Sequence, residues 1–340
     1  EAKREIVFRE KFKRFEGEIY LPKFMVPRED GSYREFMYEA DILPNIDWGS
    51  LSVEWIQEFS INQTQAHADT ASMDYNPMQV LGVTDALEMT QPMEIDNVFM
   101  TRQLGAVIPN PWWSYEYTRK IIDPLIEKFG RTAMSANFIR LIERAKQEFQ
   151  KQVDIKAEQV FEDLIDQKKL LFLLMKKSDG YFIPSRIPVR GENQLHHGRN
   201  FGNVVQRSLF DGEPDEEYNG EERAVALFLD TQENLLWWHR NRVGEKFYYI
   251  KGYRNRKFYP DFIAARKHQD SEEDFNHVHV YEYKGDQLRD NPDTRYKEKR
   301  FELCSSETWE HLGEGFSGKK FVFQMIYKDE YEQIVSRDFG

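Results

Sequence analysis

The sequence predicts an α/β protein (α+β overall) with a C-terminal mixed sheet flanked by helices. A β-rich segment and a helical region precede that sheet. Three observations predict this. From about residue 206 short strand patterns alternate with helical ones and end in a strand–helix–strand return, which favours a mixed sheet. From 111 to 175 apolar residues recur at steps of three and four. The first sixty residues read as strand segments broken by Pro22, Pro27 and Gly31.

Residues 1–110 form a β-rich, irregular platform, with strand segments such as Glu18–Val26, itself broken at Pro22, and with 61–111 polar, Met-rich and weakly periodic. Residues 111–205 are a helical connector. Its first helix carries Tyr117, Ile121, Ile122, Leu125 and Ile126 inward and stops at Gly130. A second runs from about Ala133 to Met175, with a core stripe of Phe138, Leu141, Ile142, Ala145, Phe149 and Val153. Gly, Pro, Asn and charge between Ser178 and Asp215 mark a boundary; His196 and His197 there are loop residues or a metal pair.

Residues 206–340 read as helix Glu222–Asp230 and strand Leu235–Arg240, then a strand pair, Phe247–Ile250 and Phe258–Arg266. An acidic loop Asp270–Asp274 leads to strand Val278–Lys284, helix Asp293–Leu303 and strand Lys320–Tyr327. Trp237 and Trp238 lie on adjacent strand positions, suited to core packing or, for one of them, base stacking.

Bulk properties limit the function classes. A net charge of -12 opposes binding a polyanion except through a local basic patch. Such a patch exists: Arg240, Arg242, Lys246, Lys251, Arg254, Arg256 and Lys257 face only Glu245 and Asp261 between Trp237 and Phe262. The single Cys304 excludes an internal disulfide or a cysteine-rich metal site and fits a reducing cytoplasm. No apolar run is long enough to span a membrane, so no membrane partner is expected. Asn62-Gln63-Thr64 matches a glycosylation sequon. The chain starts at Glu1, as a piece of a longer protein would.

One constellation carries chemistry. Side chains alternate along a strand, so Val278, Val280, Glu282 and Lys284 share a face that begins apolar and ends in a carboxylate and an ammonium beside Gly285. On the preceding strand Tyr259, Asp261 and Ile263 share a face, and Pro260 suggests a bulge or an edge. Two adjacent carboxylates repel, and a hard cation such as Mg²⁺ (or Mn²⁺) removes that cost. Such an ion polarises a phosphodiester and acidifies a water, while Lys284 orients the nucleophile. Glu222 is the candidate third acid. The bland alternative is a structural salt bridge.

These residues resemble a known family. SLF (208–210), NGEERAVALFLD (219–230), WWHRN (237–241), GYRNRKFYPDFI (252–263), YEYKG (281–285) and DTRYK (293–297) look like a PD-(D/E)xK nuclease domain. The resemblance spans 205–328 and lies closest to the C-terminal region of type III restriction-enzyme Res subunits and related DEAD/DEAH helicase–nucleases. It implies a restriction-endonuclease-like fold over 206–340, metal ligands Asp261, Glu282 and Glu222, and catalytic Lys284. Arg240, Arg254, Arg256, Lys257 and Lys297 are then candidate contacts to double-stranded DNA. It further implies a prokaryotic cytoplasmic restriction or anti-phage defence system. No Walker A or DEAD/DEAH sequence is present, so the helicase motor is expected elsewhere in the full-length protein or in another subunit. A methyltransferase or specificity subunit is a further implied partner. The rival expectations are a catalytically silent module that docks DNA or a partner subunit, and a structure-specific resolvase or repair nuclease.

Overall fold

A computed structural model describes residues 4–61, 93–175, 181–198, 202–285, 288–289, 291–305 and 319–340. The sequon at Asn62 and most of the irregular 61–111 stretch lie outside the described residues. The chain divides into two compact units, Asp41–Glu162 and the pair of segments Glu1–Ala40 and Asp163–Gly340.

In the discontinuous unit the N-terminal strands are β1 (Arg4–Val7), β2 (Tyr20–Leu21), β3 (Lys23–Pro27) and β4 (Tyr33–Glu35). The α-helices among the described residues of the other unit are α1 (Asn97–Leu104), α2 (Pro111–Phe129) and α3 (Arg131–Asp166). Asn110 caps α2 by accepting from Trp112 N and Trp113 N, Pro111 fills its first position, and Gly130 ends it at φ 79°. The apolar stripe of α3 is buried as its spacing requires, from Met134 through Phe149 to Phe161. Trp55 and Tyr117 pack on Phe149 at 6.4 and 4.9 Å.

The α3 helix stops at Asp166, short of the Met175 that its periodicity suggested. Lys168 turns the chain at φ 56°, and the apolar run that follows becomes β5 (Leu171–Leu173). A short continuous apolar run suits a buried strand as well as a helix, and pairing with β3 decides between them here. Two more short strands follow, β6 (Tyr181–Phe182) and β7 (Arg186–Val189). They pair antiparallel with β2 and β1. These long-range ladders cut across the three segments drawn from the sequence: residues 4–27 pair with 171–189, while 41–162 stand as their own unit.

The C-terminal part contains α4 (Gly220–Asp230), β8 (Leu235–Arg240), β9 (Phe262–His268), β10 (Ser271–Lys284), α5 (Pro292–Ser305), β11 (Lys320–Tyr327) and α6 (Tyr331–Phe339). The four strands form one mixed sheet in the order β11-β10-β9-β8, with β10 and β11 parallel and the other pairs antiparallel. The fold is therefore α/β with a mixed sheet flanked by helices. Val225 and Leu229 of α4 join Val335 and Phe339 of α6 in one core with Trp238, Phe262, Tyr281 and Ile326. Phe301 of α5 meets Phe323 at 5.7 Å. Trp237 and Trp238 are both fully buried, so neither ring is open to a base.

Three details differ from the sequence expectation. Phe247–Ile250 and Phe258–Arg266 make only an isolated Ile250–Phe258 bridge before β9 begins at Phe262. Pro260 offers no N–H to a ladder, and its carbonyl, like that of Tyr248, accepts from Asn241 Nδ2, at 2.9 and 2.8 Å. The acidic Asp270–Asp274 stretch is mostly strand, with register shifts on either side of Phe275. Finally, α6 follows β11.

His196 and His197 serve the fold. His197 Nε2 lies 2.7 Å from Asp230 Oδ2, and His196 Nδ1 lies 2.8 Å from Gly202 O. The Asp230 carboxylate, its side chain 2% exposed, also accepts from Gln206 N, Arg207 N and Trp238 Nε1. Burial opposes its ionisation, but hydrogen bonds from Gln206, His197, Trp238 and Arg207 hold its pKa below the ordinary carboxylate value. A depressed pKa contributes stability above the unfolded value of 3.8, lost as pH falls through the folded value. Asp230→Asn is expected to cost about 2 kcal/mol in urea unfolding at pH 7, because an amide NH₂ would face donors. An unchanged urea midpoint would contradict this.

Candidate active site

The C-terminal end of β10, an inner strand of the sheet, carries the charged residues. Val278 and Val280 are buried, Glu282 is 3% exposed and Lys284 is half-buried. Glu282 pairs in register with Met325 of β11, and Val280 with Ile263 of β9. Asp261 sits in the bend just before β9 rather than inside it. The ladder still reaches it, since Asp261 N donates to Tyr281 O at 2.9 Å and Asp261 O accepts from Asn241 N at 2.9 Å. With Pro260 next, Asp261 Oδ2 takes the following donor, Tyr283 N, at 2.8 Å. That bond fixes the carboxylate beside β10.

The charges around it are strongly coupled. Burial first, then the neighbouring Glu282 charge, pushes the Asp261 carboxyl well above its ordinary range. The Tyr283 N–H and Lys284 pull it down, and Glu222 adds a smaller upward push. Glu282 Oε1 accepts from Lys284 Nζ at 2.9 Å and from Lys297 Nζ of α5 at 2.8 Å. Among the described residues, Glu282 Oε2 is buried with no hydrogen-bond partner. A bare buried carboxylate oxygen is costly unless something binds it. Among the described residues, no group of three or more His, Cys, Asp or Glu forms a ready metal cage. The chemistry still fits Mg²⁺, which takes one or two carboxylates and completes its shell with water and phosphate oxygens. Asp261 and the Glu282 Oε2 would be those two.

Thus Asp261, Glu282, Lys284 and Lys297 converge. Glu222, at the first turn of α4, commits Oε2 to Arg240 Nη2 at 2.5 Å, and Arg240 also lies over the Tyr218 ring. Lys297, expected at the DNA backbone, is an ion-pair partner of Glu282. Arg254 and Arg256 approach Asp293 Oδ1, each at 3.6 Å, and Arg254 stacks over Tyr296. Lys257 is exposed and rests over Tyr249 at 4.1 Å. Sequence reasoning missed Asp293 and the role of Lys297. Their signal was the helix pattern after Gly285: Asp293 and Lys297 are four apart, on one face.

The Asp261 shift has a measurable consequence. A carboxyl whose folded pKa is raised gives no penalty below 3.8, where both folded and unfolded forms are protonated. The penalty grows as pH rises through the unfolded value and levels off above the folded one. Asp261→Asn keeps an acceptor for Tyr283 N and removes the repulsion with Glu282. In EDTA its Tm should exceed that of wild type at pH 7, with the gap closing as pH falls toward 3.8. A variant that melts lower at pH 7 would refute the coupling.

Searches against protein-family models, curated proteins and solved structures find no match to this chain.

Proposed function

We propose that this chain is a metal-dependent DNA endonuclease module, hydrolysing phosphodiester bonds through the Asp261–Glu282–Lys284 site. The observation that carries the reading is the buried Glu282 Oε2, which has no hydrogen-bond partner among the described residues, beside Asp261 and two lysines. Asp261 and Glu282 would hold the cation. When bound, Mg²⁺ or Mn²⁺ supplies polarisation of the phosphodiester and an acidified water. Lys284, anchored on Glu282 Oε1, orients the nucleophile and offsets charge developing at phosphorus. Lys297 brings a second ammonium to the same oxygen. Glu222, tied to Arg240, completes the acidic surroundings.

The PD-(D/E)xK resemblance supports the same reading, and with it a place in a prokaryotic restriction or defence helicase–nuclease. The motor, and a methyltransferase or specificity subunit, would be its partners. Among the described residues no helix is long and apolar enough to cross a membrane. One observation favours the rival, a silent module that docks DNA: two lysines already occupy Glu282 Oε1.

Plasmid nicking by the purified chain in Mg²⁺ or Mn²⁺, against EDTA, separates the two. Metal-dependent nicking supports the nuclease. Binding of DNA without cleavage in either metal supports the silent module.

A further inference from the structure

Away from the carboxylates, three lysines from distant parts of the chain gather on one tyrosine. Lys23 Nζ of β3 and Lys257 Nζ lie 4.1 Å from the Tyr249 ring centroid, and Lys251 Nζ lies 5.7 Å from it. A single carboxylate answers them. Glu35 of β4 accepts from the Tyr249 hydroxyl at 2.8 Å and lies 3.1 Å from Lys251 Nζ and 3.7 Å from Lys23 Nζ. Lys251 also donates to Phe36 O. Among the described residues Lys257 has no hydrogen bond or ion pair, only the ring.

We propose that Lys23, Lys251 and Lys257 on Tyr249 form a binding site for backbone phosphates of a nucleic acid. The identification of DNA as the ligand rests on the nuclease reading. The charge balance points to an anion: among the described residues three ammonium groups share one carboxylate, an excess of two positive charges. A purely structural network would match its charges. Instead the ring's negative face holds the ammonium groups close together without using further acids. Burial lowers the Lys23 pKa, Glu35 opposes that, and Lys251 and Lys257 lower it further. An arriving phosphate relieves that repulsion. Lysine suits the task, since a compact charge holds a phosphate without reading a base.

The patch is also joined to the candidate active site. Tyr249 meets Tyr259 edge-on at 5.8 Å, and Tyr259 lies two residues before Asp261. Lys257 precedes Phe258, whose ring lies 5.7 Å from Lys297 Nζ. A polymer carrying repeated phosphates can therefore engage both places. Lys23 belongs to a segment that sequence reading assigned to a separate platform, and β3 brings it here by pairing with β5.

The test is anisotropy of a fluorescent DNA duplex with the full chain in EDTA, across a salt series. Lys257→Gln and Lys23→Gln should each reduce the slope of log affinity against log salt by about 0.9. Lys23→Arg should restore it, and Lys128→Gln, the same charge change in the other unit, should leave it unchanged. Lys257 is exposed, so its replacement leaves the fold intact. If wild type cleaves DNA yet the slopes do not move, the lysine site is overturned and the nuclease reading stands. If the lysines carry the slope but no metal gives cleavage, the nuclease reading falls and the site stands. Absence of any DNA binding overturns both.

Discussion

Asp261→Ala is expected to lower Mg²⁺-dependent plasmid nicking by about 10³-fold, since losing a metal ligand removes several kcal/mol of stabilisation at about 1.4 kcal/mol per tenfold. Asp261 and Glu282 would be the cation's two protein ligands, and one carboxylate cannot replace the pair. Lys284→Ala should lose about 10²–10³-fold, mainly in kcat, because its charge matters most as charge builds on phosphorus. Both variants should still bind duplex DNA in EDTA. Nicking at the wild-type rate by either one would refute its catalytic assignment. The raised Asp261 pKa gives the same experiment a pH signature. Ionisation of Asp261 must precede metal binding, so half-maximal activity should need more Mg²⁺ as pH falls.

The largest stability effect is expected at Arg242. Its Nη2 lies 3.1 Å from Glu213 Oε2 and its Nε 2.8 Å from Glu217 Oε2, while Glu213 is fully buried. Ser208 and Tyr218 also donate to Glu213, which makes the carboxylate the hub of this corner. Arg242→Leu would leave that charge buried without its cation, a change worth about 3–5 kcal/mol in comparable pairs. Guanidinium unfolding should show a lower midpoint. The double variant Arg242→Leu with Glu213→Leu should recover part of the loss. Equal midpoints for wild type and the single variant would contradict the buried-pair account.

Much of the charged end of β10 was legible in the sequence. The period-two alternation of Val278, Val280, Glu282 and Lys284 has a direct local cause, because successive side chains leave a strand on opposite faces. The α3 stripe and the Pro111 and Gly130 limits of α2 were equally local. What failed was non-local. The run Leu171–Leu173 carries no periodicity of its own, and only the partner strand β3 makes it a strand. The Tyr259–Asp261 segment left the strand at Pro260, which has no N–H for a ladder and whose carbonyl accepts from Asn241, nineteen residues away. The basic residues between Arg240 and Lys257 read as one patch. Arg240 turns to Glu222, while Arg254 and Arg256 turn to Asp293.

The sequence by itself determined an α/β protein with a mixed C-terminal sheet, and brought Glu282 and Lys284 to one strand face. Those properties follow from periodicities of two and 3.6 residues, which act over a few neighbours. Only the tertiary structure decided that Lys297 shares Glu282 with Lys284, that Glu282 Oε2 has no hydrogen-bond partner among the described residues, and that Lys23 meets Lys251 and Lys257 on Tyr249. Electrostatic partners are chosen by distance in space. Residues 23 and 257 are far apart in the sequence and become neighbours only in the folded chain, on the Tyr249 ring.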